Sequence, residues 1–571
     1  MTARCSTSHL DLFTPALSTG RLAASLGCSL LTAAVLESRF SGGASAPDYP
    51  SPPDWDDSLL DNLLLGRGAD EAAQRWKGAP DLGRVLVYGD YDVDGVSSTT
   101  LALDLCKSKS TAAKFFIPHR HEEGYGLHSS LLKDLLSYGW DTLVIVDCGS
   151  KDGALLDMAL ARGLRVFVFD HHLPEDGRPL HPSVVNPHGE GGCENARALC
   201  AAGVLWAWAW KYSILPRKTL EKMTDLVALA TLADCMPLTS LNRMLVRRGM
   251  DVMSSLPRPG LARLFARLNL SAPTITEESL TMRVIPCLNA AGRMEFADTA
   301  VTVLQGSSRA EKGVEDLLAL NKRRQTLSGE ISREALLLLE RGEGYVALGE
   351  DWPVGVLSGV ASRICSRNST PVVLAAPVKE GIRGTVRVPE GGDAMKLLSG
   401  ISSSLDAWGG HRYAAGFSVS RRKWKDVASF LEREMASMEI APPRLSAVEM
   451  DPADIGLNEW KELSCLGPFG NGNPAPLFFT ARRGKRASPP PGEGRRHLQI
   501  EKDGIRLLAF DGASDRDALN SSEGWLYRPR LDCWKGTERL QYVMDYVVVA
   551  EPPESVAMDP QKFLRRNGQS Y

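Results

Sequence analysis

Apolar and polar positions divide the chain into successive regimes. Between about 82 and 240, apolar runs at 85–88, 114–117, 142–146, 165–169 and 183–185 alternate with helical-period stretches such as 131–136 and 154–160. Near-continuous apolar strands spaced by helices predict a mostly parallel sheet covered on both faces. From 240 to 345 the pattern is helical and closes in a charged amphipathic stretch, 311–341. A second α/β unit is predicted from 345 to about 438, with strands near 345–348, 372–375 and 384–388. Residues 445–552 read as β-rich with Pro-Gly turns, and 561–571 as a polar, frayed end. At the other end, Leu22, Leu26 and Leu30 share one face of a predicted N-terminal helix, and a Gly/Ser/Pro-rich loop follows over 41–55.

Length and composition narrow the class. A chain of 571 residues exceeds one hydrophobic core, so three or four domains are expected. With 43% hydrophobic and 24% charged residues the chain is an ordinary soluble, globular one. The apolar stretch 22–36 is interrupted by Ser25, Gly27, Cys28, Ser29 and Thr32, too polar and short for a bilayer. No basic start runs directly into an apolar core, as a signal peptide requires. Eleven cysteines without a CxxC or zinc spacing read as reduced thiols of a cytoplasmic protein. The net charge of −3 means that any polyanion site is a local basic surface.

The chemistry lies where the strands end. Val85-Leu-Val-Tyr-Gly-Asp-Tyr-Asp-Val-Asp-Gly95 closes a strand with Asp90, Asp92 and Asp94 before a helix begins. Carboxylates about 4 Å apart repel by roughly 4 kcal/mol at a surface-like dielectric. Against a folding stability of about 5–15 kcal/mol, such a gathering calls for a cation. Alone, the turn also fits a solvated acidic turn or an Asp-rich calcium loop. Two further strands end in Asp147-Cys-Gly-Ser and in Asp170-His171-His172, and an apolar helix ends at Asp234 before Pro237. Parallel strands share a direction, so Asp92, Asp147 and His171 converge on one sheet edge. Singly, Asp147 could cap a helix, the His pair could be a satisfied turn, and Asp234 an idle terminal acid. Carboxylates and imidazoles without thiolates suit manganese or magnesium better than structural zinc.

The set Asp90-Tyr-Asp-Val-Asp-Gly95, Asp147-Cys-Gly, Asp170-His-His172 and Ala230-Thr-Leu-Ala-Asp234 resembles the four motifs of the DHH phosphoesterase superfamily. Within it the chain resembles the RecJ family of single-strand-specific 5′→3′ DNA exonucleases. Pro118-His-Arg-His-Glu-Glu-Gly-Tyr-Gly-Leu127, Val185-Asn-Pro187, Cys200-Ala-Ala-Gly-Val204 and Leu288-Asn-Ala-Ala-Gly-Arg-Met294 carry the likeness further. Trp352-Pro-Val-Gly-Val356, Val360-Ala-Ser-Arg363, Gly384-Thr-Val-Arg387 and Gly409-Gly-His-Arg-Tyr-Ala-Ala-Gly-Phe417 resemble the DHH-associated domain. Leu466-Gly-Pro-Phe-Gly-Asn-Gly-Asn-Pro474 is similar to the start of the family's oligonucleotide-binding (OB) domain. Together these cover roughly residues 20 to 550.

The resemblance implies an α/β fold: a parallel-sheet DHH domain, a helical connector, a DHH-associated α/β domain and an OB-like β-barrel. The corresponding segments are 1–50 (helical), 51–240 (DHH), 241–344 (connector), 345–440 (DHH-associated), 441–555 (OB-like) and 556–571 (tail). It implies that Asp92, Asp94, Asp147, His171 and Asp234 hold two divalent ions, manganese or magnesium, with Asp147 as the bridge. Asp90 is either a ligand or an orienter of one. Asp170 fixes a neighbouring imidazole, and His172 faces the scissile phosphate. Thr385 and Arg387, with Gly409, Gly410 and His411, form a pocket for a 5′-phosphate, and Arg293 touches the strand backbone. Glycine lets backbone N–H groups approach an anion, and arginine offers a planar fork. Without the resemblance, Gly409-Gly410 reads as an ordinary turn.

The implied partner is single-stranded DNA with a 5′-phosphate, admitted as one strand between the two α/β units, in repair and recombination. The implied protein is a cytoplasmic monomer. In the OB-like region, Arg482, Arg483, Lys485 and Arg486 are candidates to track phosphates, and Trp525, Tyr527 and Trp534 to stack bases, with Trp525 and Trp534 alternatively read as core residues. Three positions depart from the family pattern: Tyr88 for a usual His, Cys287 for a usual Arg, and Pro353 for a polar residue. The rivals are a phosphodiesterase for short or cyclic oligonucleotides and a metal-free DNA-binding scaffold.

Overall fold

The computed structural model describes residues 3–40, 55–107, 109–119, 126–174, 178–342, 344–379, 381–440, 444–490, 497–510, 512–534 and 537–550. The linker at 41–54, residues 120–125 of the motif at 118–127, the Trp534 side chain and the tail from 556 lie outside what is described. Two compact units emerge. One comprises Ser45–Lys322 with Lys461–Ala475, the other Met1–Ala44, Arg323–Trp460 and Pro476–Tyr571.

The first unit holds the parallel sheet, in the order Ala112–Phe116, Arg84–Tyr88, Thr142–Val146, Arg165–Phe169, Val184–Val185. Every pairing in it is parallel. Each of the five expected strands is present, because runs this apolar lie stable only with both faces covered. The central strand Thr142–Val146 is buried at every position. Helix Val93–Cys106 is buried except at Asp104 and packs against helices Ala201–Lys211 and Thr224–Ala233. Trp206, Trp208 and Trp210 are all fully buried, so the helix carrying them is enclosed on every side. Their burial satisfies polar atoms too: the indole N–H groups of Trp206 and Trp208 donate to Leu220 O and Ala69 O at 2.7 and 3.1 Å. Arg258 bonds Asp104 and Asp225 at 2.9 and 2.8 Å, tying three elements together by a buried ion network.

The second unit contains two sheets. One has five strands in the order Ala407–His411, Ala414–Val419, Gly381–Arg387, Val372–Val378, Val346–Leu348, and only the last pair is parallel. Its first two strands escape the hydrophobic pattern, since Ala407–His411 is exposed throughout. Gly409 and Gly410 therefore sit in an edge strand, not in the turn their dipeptide suggests. The other sheet has eight strands, and it is where the N-terminal expectation changes. Ala3–Ser6 pairs in parallel with Thr537–Val549, and Leu10–Phe13 pairs in parallel with Leu445–Glu449. The first residues are thus strands of the C-terminal sheet, ahead of two helices.

Those helices are Leu17–Leu26 and Leu30–Phe40, separated by Gly27 in the left-handed region at φ 64°. Leu30 consequently does not share a helix with Leu22 and Leu26. Among the described residues no single helix is long and apolar enough to cross a membrane; only this pair passes together, and it is bent by 109°. Trp525 and Tyr527 are fully buried, and the Tyr527 hydroxyl donates to Met450 O at 2.7 Å, so neither ring can stack a base. Arg482 donates to Ser522 O at 2.7 Å, which commits part of the basic run to the fold.

Candidate metal centre

The acidic turn follows strand Arg84–Tyr88 directly. Asp92 caps helix Val93–Cys106, its Oδ1 accepting from Gly95 N at 3.0 Å. A Cβ on Gly95 would stand 2.4 Å from Asp90 O, so glycine is what lets the turn fold this tightly. Asp94, in the first turn of that helix, is completely buried. Its Oδ2 accepts from Ala201 N at 2.7 Å and its Oδ1 from Ala202 N at 2.9 Å and Ser98 Oγ at 3.2 Å. The carboxylate thereby sits on the positive end of helix Ala201–Lys211. The Cys200-Ala-Ala-Gly motif marked this region, but its wiring to Asp94 was not visible in the sequence.

Asp147 ends strand Thr142–Val146 and adopts φ 63°, left-handed backbone that a non-glycine residue occupies only under constraint. Its N–H donates to Phe169 O at 3.0 Å, which fixes that conformation in the sheet. Asp170 ends the neighbouring strand and works as a hub. Its Oδ1 accepts from His171 N at 2.8 Å, His172 N at 3.2 Å and His172 Nδ1 at 2.8 Å, and its Oδ2 from Ser150 N at 3.0 Å. Asn186, almost wholly buried, donates to both Ser150 Oγ and His172 O at 2.9 Å. Ser150 and Asn186 are positioning residues that sequence reasoning missed, although the Asn-Pro pair at 186–187 had stood out as a motif.

His171 Nε2 is buried and makes no hydrogen bond, yet three carboxylate oxygens surround it. Asp234 Oδ2 lies 3.4 Å away, Asp147 Oδ1 3.5 Å and Asp94 Oδ2 3.6 Å. Each comes from a different element. Three overlapping donor sets, each within 4.8 Å, comprise Asp90, Asp92 and Asp147; Asp94, His171 and Asp234; and Asp147, His171 and His172. Asp147 and His171 each belong to two sets. Donors about 2.1 Å from a shared octahedral ion stand about 3–4 Å apart, so the spacing fits hard divalent cations.

The electrostatics agree. Burial raises Asp94, partly offset by His171. Burial, then Asp94, Asp92, Asp234 and Asp90, push Asp147 well above the carboxylate range. Burial together with Asp92, Asp94 and Asp90 moves Asp234 up to about 9. Asp234 also caps the C-terminus of helix Thr224–Ala233, the end that repels an anion. Burial opposes the charge on Asp170, but the His172 hydrogen bond and charge win and hold it well below the usual range. Burial likewise lowers His172, and the Asp170 carboxylate reverses this to a net rise.

The remaining candidates divide between the units. Arg293 lies half-buried in the last turn of helix Ile285–Met294. A Cβ on the preceding Gly292 would stand 2.2 Å from Tyr91 O, so this helix end is pressed onto the acidic turn. In the other unit, Thr385 pairs across Gly416 with Gly409, and Arg387 across Ala414 with His411. Strand alternation puts Thr385, Arg387, Gly409 and His411 on one face and Gly410 on the other. Arg387 donates to Ser362 Oγ at 2.9 Å and to Thr385 Oγ1 at 2.8 Å. Gly410, at φ 149°, leaves no room for a Cβ, which would meet Ala414 O at 2.4 Å.

The departures also resolve. Tyr88 is buried and its hydroxyl donates to Gly126 O at 3.0 Å. Cys287 is buried, its Sγ donating to Arg283 O at 3.1 Å and accepting from Asn321 Nδ2 at 3.3 Å. Position 287 is therefore a packing position here, with no surface to offer a strand. Pro353 precedes helix Val354–Asn368 and serves as its N-cap residue.

Comparison with known proteins places this geometry. The DHH family, N-terminal domain, matches residues 84–231; the DHHA1 domain matches 342–437; the RecJ OB domain matches 447–546. The single-stranded-DNA-specific exonuclease RecJ of Bacillus subtilis is 30% identical over 473 residues, covering 81% of this chain and 59% of its own. The protein of the same description from Dickeya dadantii is 30% identical over 455 residues, covering 74% of this chain and 79% of its own. The crystal structure of RecJ in complex with Mn2+ from Thermus thermophilus matches with a TM-score of 0.74 and 26% identity, covering 94% of this chain and 79% of that one. This chain thus spans about three fifths of the B. subtilis relative's length.

Proposed function

The chain belongs to the RecJ family, and on that premise we propose that it is a cation-dependent single-strand DNA exonuclease, removing 5′-mononucleotides from the 5′ end. The observation that carries this reading is the buried His171 Nε2 ringed by Asp94, Asp147 and Asp234 at 3.4–3.6 Å. Asp92, Asp94, Asp147, His171 and Asp234 would hold two divalent cations, manganese or magnesium, with Asp147 shared and Asp90 beside them. Such a pair, when bound, neutralises phosphate charge and lowers the pKa of an attacking water.

The chain's own residues do the rest. Asp170 accepts a hydrogen bond from the Nδ1–H of His172, which leaves Nε2 to titrate with its basicity raised. A protonated His172 stabilises charge developing on the phosphoryl oxygens and can supply a proton to the departing oxygen. Asn186 and Ser150 keep that imidazole in register from behind. Arg293, on the helix pressed against the acidic turn, is assigned to the strand backbone. Thr385, Arg387, Gly409 and His411 are assigned to the terminal 5′-phosphate, on the strength of the face they share across adjacent strands, and Gly410 is assigned with them as the position between, where no side chain fits. Residues 3–13 go with the C-terminal sheet, while the DHH, connector, DHH-associated and OB-like segments are kept in this reading, in keeping with the matches over 84–231, 342–437 and 447–546. So are a monomeric state, a cytoplasmic location and service in repair and recombination; none of the eleven cysteines is in a disulfide.

The test is a single strand with a 5′-phosphate and a 3′ fluorophore, incubated with the purified chain and Mn2+. Progressive shortening of the labelled strand with release of unlabelled mononucleotides is expected. Immediate release of labelled mononucleotide overturns the polarity, and an intact strand overturns the enzymatic reading.

A further inference from the structure

Asp234 leaves helix Thr224–Ala233 into a loop that has no regular structure before helix Ser240–Ser255. Cys235, the next residue, adopts φ 53°. A carboxylate at a repelling helix end, among other carboxylates, does not hold its place without restraint. The restraint comes from the segment 466–474. Asn471 O accepts from Leu238 N at 2.6 Å, and Asn471 Nδ2 donates to Cys235 O at 3.0 Å, so one residue brackets the loop at both ends.

The glycines flanking Asn471 make that approach possible. A Cβ on Gly470 would stand 2.8 Å from Leu238 Cδ1; one on Gly472, at φ 76°, would stand 3.2 Å from Thr239 Cγ2. The segment is itself anchored. Arg243, buried, donates to Gly467 O at 3.2 Å and Leu466 O at 2.9 Å. Glu277 accepts from Phe469 N at 3.0 Å, and Asn473 Nδ2 folds the turn onto Leu466 O and Pro468 O. Asn242 adds a bond to Pro237 O at 3.0 Å from the loop's other side.

We propose that residues 466–474 are a strap that fixes the Asp234 loop, with Asn471 as a positioning residue for the metal site. The inference rests on the cation-binding reading above and extends it. It gives the Gly-Asn-Gly-Asn sequence a task in the catalytic unit beyond joining it to the C-terminal strands. Ligand carboxylates depend on the groups that orient them, and losing such a group typically weakens metal binding about 10–100-fold.

The experiment is Mn2+ titration of the full chain, followed by electron paramagnetic resonance, on wild type, Asn471→Ala and Arg247→Ala. Arg247 donates to Cys465 O at 3.3 Å, just outside the strap. Asn471→Ala is expected to weaken Mn2+ binding about tenfold, with Arg247→Ala unchanged and the melting temperatures of all three within a few degrees. Equal binding by Asn471→Ala and wild type overturns the strap, as does an equal loss in Arg247→Ala. A wild type that binds no Mn2+ overturns the metal reading, and the strap with it.

Discussion

Replacing Asp234 by asparagine is expected to stabilise the metal-free protein while weakening its hold on cations. Asp234 titrates at about 9 in the folded chain against an ordinary 3.8. Between those values the folded state binds more protons than the unfolded state, so its contribution to stability is present below pH 4 and is lost as pH rises toward 9. The slope is about 1.4 kcal/mol per pH unit, which sets a ceiling of about 4 kcal/mol at pH 7. Asp234 is about a quarter exposed and shares its repulsion with Asp90, Asp92 and Asp94, so about 1–2 kcal/mol is a realistic gain. For a unit of this size that corresponds to a melting temperature higher by about 2–3 °C. Differential scanning fluorimetry in chelator at pH 8 should show this rise, shrinking to nothing near pH 4.5. Adding Mn2+ at pH 8 should stabilise wild type more than the variant, because only wild type keeps the full donor set. A metal-free variant at pH 8 that melts at or below wild type refutes the claim that these acids are held together against their own repulsion.

Three further outcomes follow from the same geometry. Asp147→Ala removes a donor common to two of the three sets and should abolish hydrolysis, leaving single-strand binding in chelator unchanged by fluorescence anisotropy. Asp170→Asn cannot accept from Ser150 N and His172 Nδ1 together; in metal-free protein the His172 titration, followed by NMR, should move to lower pH, and turnover should fall about 10–100-fold. Arg387→Lys loses the fork that spans Ser362 and Thr385, so the rate preference for a 5′-phosphate over a 5′-hydroxyl end should drop about tenfold, read from paired substrates.

The parallel sheet was legible because burial on both faces forces each strand into an unbroken apolar run, as at Leu86, Val144 and Phe167. The donors were legible for a related reason: parallel strands deliver their last residues to one edge. What lay hidden depended on contacts distant in sequence. Ala3–Ser6 carries no alternation of its own and becomes a strand only by pairing with Thr537–Val549, more than five hundred residues away. Exposed Ala407–His411 has no apolar face to announce it. The left-handed backbone of Asp147 left no mark, since nothing but its neighbours imposes it. Asn471 was visible within a motif, yet its bond to Cys235 needs the fold to bring the two together. Trp525 was open to two readings, and burial decides for the core, where it also places Tyr527 against the stacking expectation.

The central claim is that acids and imidazoles from four chain segments share a pair of cations. Anomalous diffraction at the manganese edge, from crystals grown with Mn2+, tests it directly. Two peaks are predicted, both within coordination reach of Asp147, with His171 and Asp234 at one of them. A single peak elsewhere on the chain, or no peak near Asp147, would contradict the account.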